Sequence, residues 1–327
     1  MTQSDHKAYD GKRVVVTGGA GFIGSHLVDA LLGAGCARVA VVDNFFLGKI
    51  ENIAAAEGYG DLFHLYREDA AERTAIEAVI EAEKPDIVFN LATKALLYSF
   101  FNPAGACSVN LDIALNLADL LRLGRYGKLV HVSTSEVYGS AIRVPMDEDH
   151  PLRAETTYAA GKAAADLALA SYVNQYGIDV VTIRPFNNYG PRQNDGALAA
   201  IIPLTIKRIL AGQQPIIQGD GLQTRDFVFV GDTVDALLRF GQCEAAKGQV
   251  FNVASGRETS IRTIVEQLCQ ALSYKGGIEI QAQRVADVRR HLACVNKATT
   301  MVGNIAPTQL EDGLLRTVEW YRRSNAR

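Results

Sequence analysis

The sequence predicts an α/β protein with a doubly wound parallel sheet and a smaller C-terminal lobe. Short apolar runs alternate with segments of helical periodicity through the first half of the chain, which is typical of βα units whose strands pair in parallel. After Arg184-Pro185 this alternation loosens and prolines and glycines become frequent. We therefore predict a first domain over residues 1–185 and a lobe over residues 186–327. Segments such as 233–241 and Val250–Val253 are expected to return to the first domain.

The first predicted strand is Arg13–Thr17, because this short apolar run ends in glycines, as strands buried on both faces do. A helix follows over residues 22–32, where apolar residues recur at helical spacing until Gly33 and Gly35 stop it. Gly161 lies inside a later predicted helix, where glycine costs about 1 kcal/mol relative to alanine, so close packing is expected there. By the same reasoning, further strands are predicted at 38–43, 62–66, 86–91, 128–133 and 179–184, and helices at 71–82, 106–123 and 158–175.

Composition narrows the range of partners and compartments. A net charge of −3 over 327 residues gives no electrostatic reason to expect nucleic acid or an anionic membrane as partner. The first residues lack the apolar core of a signal peptide, and no uninterrupted apolar run reaches membrane-spanning length. Five scattered cysteines without a CxxC pair favour a reducing cytoplasm over a disulfide framework or a metal site. We therefore expect a cytoplasmic protein that binds neither nucleic acid, membrane nor metal.

A glycine-rich turn joins the first strand to the first helix. Gly18 allows a tight turn, Gly21 lets the backbone approach a pyrophosphate, and Gly24 lets helix and strand pack closely. The helix then begins at Phe22 and Ile23 and offers free N–H groups and its positive dipole end to phosphates. This pattern predicts a Rossmann-type dinucleotide site, and the alternative is an ordinary glycine-rich turn.

An acidic residue at the end of the second strand indicates which dinucleotide binds. Asp43 stands 19 residues beyond Gly24, where a carboxylate accepts hydrogen bonds from the adenosine ribose and repels a 2′-phosphate. NAD is therefore expected rather than NADP; the simpler alternative is a strand-end aspartate that starts a turn with Asn44. Asp69, after the third strand, is expected either near the adenine or at the surface. The predicted cofactor site is completed by Asn44, Ala70, Leu91 and Ala92.

A tyrosine and a lysine four residues apart supply the candidate chemistry. Tyr158 and Lys162 share one face of a predicted helix. A free phenol has a pKa of about 10, and lowering it by roughly 3 units needs about 4 kcal/mol. A cation at about 4 Å supplies on the order of that much, so Lys162 and a positive nicotinamide ring are expected to lower the pKa of Tyr158. Thr134, just past a strand end, would hold a substrate oxygen beside Tyr158, and the three residues together predict redox chemistry on an alcohol. The alternative is that the Thr134 hydroxyl only caps a turn and that Tyr158 and Lys162 are surface residues.

With these motifs the chain resembles an extended short-chain dehydrogenase/reductase of the nucleotide-sugar epimerase/dehydratase family. The resemblance spans nearly the whole chain and includes Asn110 and the segments 90–92, 184–192, 223–227 and 287–289. It implies a retained NAD that oxidises a sugar C4 hydroxyl, with Tyr158 as base, Lys162 on the ribose and Thr134 orienting the sugar. It also implies a homodimer formed through the two long helices. Contacts to the nucleotide diphosphate are implied for Asn187, Arg192, Arg225 and Arg289.

The reaction that follows this oxidation depends on Glu136. A C4 epimer forms from the 4-ketosugar without a further acid or base, whereas 4,6-dehydration and C6 decarboxylation both benefit from an extra carboxylate. The segment 133–139 resembles 4,6-dehydratases and UDP-glucuronate decarboxylases, although Ser135 stands where many dehydratases have an acid. Lys94 is expected to meet a substrate carboxylate or phosphate, or else solvent. We predict a 4,6-dehydratase of a UDP-hexose; the alternatives are a UDP-glucuronate decarboxylase, a C4-epimerase, a dehydrogenase that releases NADH and a non-catalytic NAD-binding regulatory protein.

Overall fold

The computed structural model describes residues 7–196, 199–282 and 289–325. Its strands are β1 (Arg13–Thr17), β2 (Arg38–Val42), β3 (Phe63–Tyr66), β4 (Ile87–Asn90), β5 (Lys128–Val132), β6 (Val180–Pro185), β7 (Asn187–Tyr189), β8 (Ile216–Gln218), β9 (Thr224–Phe229), β10 (Val250–Val253), β11 (Glu258–Ser260) and β12 (Glu279–Gln281). Its α-helices are α1 (Phe22–Gly33), α2 (Arg73–Glu83), α3 (Pro103–Arg122), α4 (Thr157–Tyr176), α5 (Ile201–Leu210), α6 (Val230–Gln242), α7 (Ile261–Ala271), α8 (Asn296–Val302) and α9 (Leu310–Asn325).

The central sheet is parallel and has seven strands in the order β3-β2-β1-β4-β5-β6-β10. Thr17 pairs with both Val42 and Asn90, so the carboxyl ends of β1, β2 and β4 lie level at one edge. The order of the strands reverses between β1 and β4, which opens a crevice at that edge. Ligands of doubly wound sheets bind at such a reversal point. The predicted fold class is confirmed.

Successive residues of β1 explain why helices cover both faces of the sheet. Side chains alternate between faces along a strand. Val14 and Val16 lie in a buried cluster with residues of α1 and α6, whereas Val15 lies in one with residues of α2, α3 and α4. Among the described helices only α3 is long and apolar enough by composition to cross a membrane, and its Ile113 and Leu117 are buried against the sheet.

The predicted strands and helices are confirmed to within a few residues. The largest shift is at α3, which begins at Pro103, three residues before the predicted start. The side chain of Asn102 caps this helix by accepting a hydrogen bond from the Gly105 amide (2.9 Å), and proline is well suited to the first turn because no backbone donor is needed there. The close packing expected at Gly161 is found, because a Cβ there would lie 2.5 Å from the carbonyl oxygen of Cys107 in α3.

The smaller lobe follows β6 without a linker. Strands β7, β9 and β11 form a three-stranded sheet, β8 pairs with β12, and α5, α7 and α9 enclose a core that contains Ile206, Ile264 and Val318. Two later elements lie on the large sheet, since β10 pairs with β6 and α6 packs on that sheet. The domain boundary near residue 186 stays a prediction.

Candidate active site

A pocket opens at the carboxyl edge of the sheet, where the strand order reverses. Every residue predicted to bind the cofactor lines this pocket: Gly18, Gly21, Phe22, Ile23, Gly24, Asp43, Asn44, Asp69, Ala70, Leu91, Ala92, Tyr158 and Lys162. Thr134, Lys94 and Arg192 line the same pocket. The register of the parallel strands therefore brings together residues that are far apart in sequence.

The glycine turn has the geometry that a diphosphate needs. Gly18 has a φ of +71°, which side chains rarely adopt, and a Cβ there would lie 2.7 Å from the Ala92 backbone nitrogen. A Cβ on Gly24 would lie 2.2 Å from the Gly18 carbonyl oxygen, so only glycine lets α1 start this close to β1. Gly21 caps α1 without a side-chain hydrogen bond, which leaves the first N–H groups available to an anion. The residues present therefore fit a dinucleotide diphosphate.

Asp43 is fixed by the backbone around it. Its carboxylate is 7% exposed and accepts hydrogen bonds from the Ala20 amide (2.9 Å) and the Phe45 amide (2.8 Å). Burial raises the pKa of Asp43, and these two hydrogen bonds act in the opposite direction. Each carboxylate oxygen has a further lone pair for a ribose hydroxyl. Asp69, expected near the adenine, accepts a hydrogen bond from the side-chain Nδ2 of Asn44 (2.6 Å) and so lies beside the loop that follows β2.

Tyr158 lines the pocket from the first turn of α4. Burial raises the pKa of Tyr158 to about 12, and the nearby Glu136 carboxylate adds to this effect. Hydrogen bonds with Thr134 and Thr93 act in the opposite direction. The expected lowering of this pKa is therefore wrong for the protein's own groups, because the cost of charging a phenol away from water exceeds what the surrounding donors supply.

Lys162 lies one turn further along α4 and is 2% exposed. Its ammonium donates a hydrogen bond to the Val132 carbonyl (2.9 Å). Burial lowers the pKa of Lys162 to about 8, and the Asp166 carboxylate, a further turn along, raises it. Asp166 itself forms a buried ion pair with Arg184 (2.9 Å). Tyr158, Lys162 and Asp166 thus form a row of polar groups at a spacing of four residues on one helix face.

The turn after β5 carries the other predicted catalytic residues. Thr134 caps a short 3₁₀ turn over Ser135–Tyr138 by accepting a hydrogen bond from the Glu136 amide (3.2 Å). The Glu136 carboxylate lies near enough to Tyr158 to raise its pKa. Ser135 is 2% exposed, and neither Ser135 nor Glu136 is among the residues that line the pocket.

Buried hydrogen bonds fix this turn from below. Arg184 donates to the Tyr138 hydroxyl (3.0 Å), and that hydroxyl donates to the Asn252 side-chain oxygen (2.7 Å). Arg184 also pairs with Asp166, so one guanidinium connects the 3₁₀ turn to α4. The carboxylate of Glu136 and the phenol of Tyr158 are therefore held on a common scaffold.

The residues expected at the nucleotide diphosphate are only partly brought to this pocket. Arg192 lines the pocket, and its Nη2 forms an ion pair with an aspartate of α1 (2.7 Å). The other terminal nitrogen, Nη1, is buried and has no hydrogen-bond partner among the described residues. Asn187, Arg225 and Arg289 do not line the pocket. The exposed guanidinium of Arg289 forms a bidentate ion pair with an aspartate of the lobe. The neighbouring motif residues 287–288 lie outside the described residues.

One functional residue was missed in the sequence. Thr93 follows β4 by three residues, and its hydroxyl hydrogen-bonds with Tyr158 and donates to the Asn110 side-chain oxygen (2.8 Å). Asn110 belongs to α3, so the contact joins the loop after β4 to that helix. The position of Thr93 after a central strand could have indicated it, since Thr134 was identified by that reasoning.

Comparison with known proteins finds a matching family model and relatives that align over nearly the whole chain. A family model described as GDP-mannose 4,6 dehydratase matches residues 15–313. The chain is 36% identical over 315 residues to the UDP-glucose 4-epimerase of Mycolicibacterium smegmatis, covering 96% of this chain and 99% of the relative. It is 32% identical over 323 residues to UDP-glucuronic acid decarboxylase 1 of Xenopus tropicalis, covering 96% of this chain and 73% of the relative.

Solved structures show the same similarity. A dTDP-glucose 4,6-dehydratase from Streptomyces venezuelae, crystallised with NAD bound, matches with a TM-score of 0.89 at 28% identity, covering 96% of this chain and 98% of that chain. The relatives thus include enzymes named for epimerisation, decarboxylation and dehydration. Similarity alone does not separate these three reactions.

Proposed function

Because this chain belongs to the nucleotide-sugar epimerase and dehydratase family of extended short-chain dehydrogenases/reductases, we propose that it is an NAD-dependent 4,6-dehydratase of a UDP-hexose. Its relatives are named as nucleotide-sugar epimerases, decarboxylases and dehydratases, and NAD is bound in a related dehydratase structure. The choice of reaction rests on Glu136, which stands two residues after the pocket-lining Thr134 in the turn that follows β5, and whose carboxylate raises the pKa of Tyr158. Return of hydride to the other face of C4 needs no such carboxylate, whereas chemistry at C5 does.

The pocket supports NAD as the cofactor. When bound, NAD supplies a hydride acceptor and a positive charge on its nicotinamide ring. The first turn of α1, uncapped at Gly21, would hold the diphosphate, and Asp43 would accept hydrogen bonds from the adenosine ribose. Lys162, whose ammonium has two donors left after its bond to Val132, would hold the second ribose.

Oxidation at C4 begins with removal of the hydroxyl proton by Tyr158. A pKa near 7 requires roughly 7 kcal/mol of preference for the phenolate, because burial raises the pKa of Tyr158 to about 12. Lys162 is already in place when burial holds this pKa at about 12, so the protein's own groups do not supply that preference. The positive nicotinamide ring of bound NAD would supply on the order of 4 kcal/mol at about 4 Å and so bring the pKa to roughly 9, and Lys162 would hold the ribose beside it. Thr134 and Thr93 hold the oxygen of Tyr158, and Thr134 also orients the sugar.

Dehydration follows at C5 and C6. The C4 ketone acidifies the C5 proton, which Glu136 removes. Because Ser135 is buried and is a poor acid, the carboxylic acid so formed on Glu136 protonates the departing C6 hydroxyl, which leaves as water. The hydride taken from C4 then returns to C6, and C5 receives a proton, so the net change is loss of one water molecule.

The remaining parts of the proposal concern the nucleotide and the assembly. Arg192 is well placed to bind the UDP diphosphate, because its buried Nη1 has no partner among the described residues and arginine forms two parallel bonds to phosphate. Asn187, Arg225 and Arg289 would join it from the lobe. We also propose a cytoplasmic homodimer in which α3 and α4 pair with those of a second copy, since Leu167 on α4 is 61% exposed.

A UDP-glucuronate decarboxylase is the second candidate, and Ser135 favours it. Loss of carbon dioxide from a β-keto acid needs no acid to protonate a leaving group, so serine at this position is no obstacle there. Incubation with UDP-glucose, UDP-N-acetylglucosamine and UDP-glucuronate, followed by mass spectrometry, separates the outcomes. Loss of water from a hexose supports the proposal, loss of carbon dioxide from the glucuronate supports the second candidate, and an unchanged mass with a new C4 configuration contradicts both.

A second test addresses Glu136 directly. In deuterated water the dehydratase should place deuterium at C5 of the product. The Glu136→Gln variant should lose this exchange together with product formation, yet still oxidise C4, which is seen as reduced nicotinamide absorbance on the protein. Exchange that survives in Glu136→Gln would remove Glu136 from the mechanism.

A further inference from the structure

Lys94 lines the pocket, and its side chain reaches from the loop after β4 to the loop after β2. Its chain neighbour Thr93 hydrogen-bonds with Tyr158 at the catalytic end. Its ammonium lies 3.8 Å from the centre of the Phe46 ring, and Phe46 follows the ribose-binding Asp43 by three residues. Any dinucleotide that joins Asp43 to Tyr158 therefore passes beneath Lys94. The anionic part of such a molecule between its two riboses is the diphosphate.

Two aromatic rings hold the ammonium in this place. Phe46 and Tyr98 pack edge to face with ring centres 4.9 Å apart, and the Lys94 ammonium lies 5.7 Å from the Tyr98 ring. The three residues, here called the Lys94 clasp, connect the loop after β2 with the loop after β4. Asn110, 1% exposed, fixes the base of the clasp by accepting a hydrogen bond from the Lys94 amide (3.1 Å) and donating one to the Lys94 carbonyl (3.2 Å).

The charge of Lys94 differs from the other positive charges that line the pocket. Lys49 pairs with an aspartate at 2.7 Å, Arg192 pairs with another at 2.7 Å, and Lys162 donates to a backbone carbonyl at 2.9 Å. Across residues 7–196, 199–282 and 289–325, no carboxylate forms an ion pair with Lys94. Aromatic faces attract an ammonium without neutralising it, so the charge remains available to an anion.

We propose that the Lys94 clasp closes over the bound dinucleotide, with the Lys94 ammonium on the diphosphate and Phe46 and Tyr98 holding the two loops together. Lys94 is then a cofactor ligand and not, as expected from the sequence, a substrate ligand. This inference rests on the proposed function. An enzyme that returns its hydride to the same sugar must keep its cofactor through the catalytic cycle, and the clasp slows the release of that cofactor.

The test measures cofactor release separately from catalysis. The holoenzyme is purified, its bound nucleotide is counted after denaturation, and the rate of NAD dissociation is followed by displacement with a fluorescent analogue. Lys94→Met should release NAD about 10-fold to 100-fold faster, as expected for loss of a charge-assisted contact, and Lys94→Arg should largely restore retention. Phe46→Leu should give a smaller increase, because it keeps apolar contact and removes the aromatic face. Lys207→Met is the matched control: it removes a charge that is already paired and does not line the pocket, and retention should be unchanged.

The affinity for UDP, measured calorimetrically on the NAD-loaded proteins, distinguishes the two roles of Lys94. The clasp predicts an affinity that is unchanged within twofold in Lys94→Met. Unaltered NAD release overturns the clasp, whether UDP affinity falls or stays the same. If the wild-type protein holds no NAD at all, the proposed function fails and the clasp fails with it. If NAD is held and a UDP-sugar is converted while Lys94→Met releases NAD at the normal rate, only the clasp fails.

Discussion

Replacement of Asp166 by asparagine should change the pH dependence of the reaction through Lys162. Burial lowers the pKa of Lys162 to about 8, and the Asp166 carboxylate keeps it from falling further. An opposite charge within about 4–6 Å shifts a pKa by about 1–3 units, so Asp166→Asn should bring that pKa to roughly 5–7. At pH 7.5 the protonated fraction of Lys162 then falls from about three quarters to about a quarter or less.

The assay is the rate of product formation from pH 6 to pH 9, expressed as the ratio of variant to wild type. Asp166 is also one of the groups that raise the pKa of Tyr158, so loss of its carboxylate lowers that pKa and adds to the fall of the ratio with rising pH. Between pH 6 and pH 9 the ratio should fall by about tenfold to a hundredfold, because Lys162 acts as the ammonium. A ratio that stays constant with pH would refute the reasoning and leave Asp166 with a structural role only.

Stability must be measured alongside, because Asp166 pairs with Arg184 in the interior. Loss of one partner of a buried pair costs about 3–5 kcal/mol, so the melting temperature of Asp166→Asn should be lower than that of the wild type. The double variant Asp166→Asn/Arg184→Met leaves neither charge unpaired and should recover much of that stability. It should still show a falling ratio, since the carboxylate beside Lys162 is absent there as well.

Further predictions concern the packing, the catalytic hydroxyl and the assembly. Gly161→Ala should lower the free energy of unfolding in urea by about 1–3 kcal/mol, since a Cβ there would lie 2.5 Å from a backbone oxygen of α3; Gly33→Ala, which meets nothing within 4 Å, should be neutral or stabilising. Thr93→Val should raise the pKa of Tyr158, because a hydrogen bond that lowers this pKa is lost. At neutral pH kcat should fall about tenfold, and the acid limb of the pH profile should move to higher pH. An acid limb that stays at the same pH would contradict this role of Thr93. Leu167→Asp should yield a monomer in sedimentation at micromolar concentration, and a dimer that persists would exclude this face of α4 as the interface.

Much of the fold follows from the sequence for simple reasons. Strands buried on both faces read as continuous apolar runs, so β1 could be placed from Arg13–Thr17 alone. The glycines at 18, 21 and 24 could be interpreted because each has a steric requirement, and their neighbours in the structure meet it. The start of α3 was placed too late because its signals are polar: an asparagine cap followed by Pro103 precedes the apolar periodicity.

The site was predictable where function depends on local spacing and less so where it depends on contacts between distant segments. Tyr158 and Lys162 share a helix face, so their proximity follows from the spacing of four. The hydrogen bond between Thr93 and Tyr158 connects the loop after β4 to the first turn of α4, and no local sequence pattern predicts it. The pKa of Tyr158 was misjudged for a related reason: burial depends on the whole surrounding structure, whereas the neighbouring lysine is visible in the sequence.

The central claim is that hydride leaves C4 of a sugar and returns to the same molecule at C6. UDP-hexose carrying deuterium at C4 tests this directly, with the product analysed by NMR and mass spectrometry. Our account predicts a dehydrated product that carries the deuterium at C6. When unlabelled UDP-hexose is present in the same reaction, no deuterium should pass to its product. Deuterium that is retained at C4, released into free reduced cofactor or scrambled between molecules would contradict it.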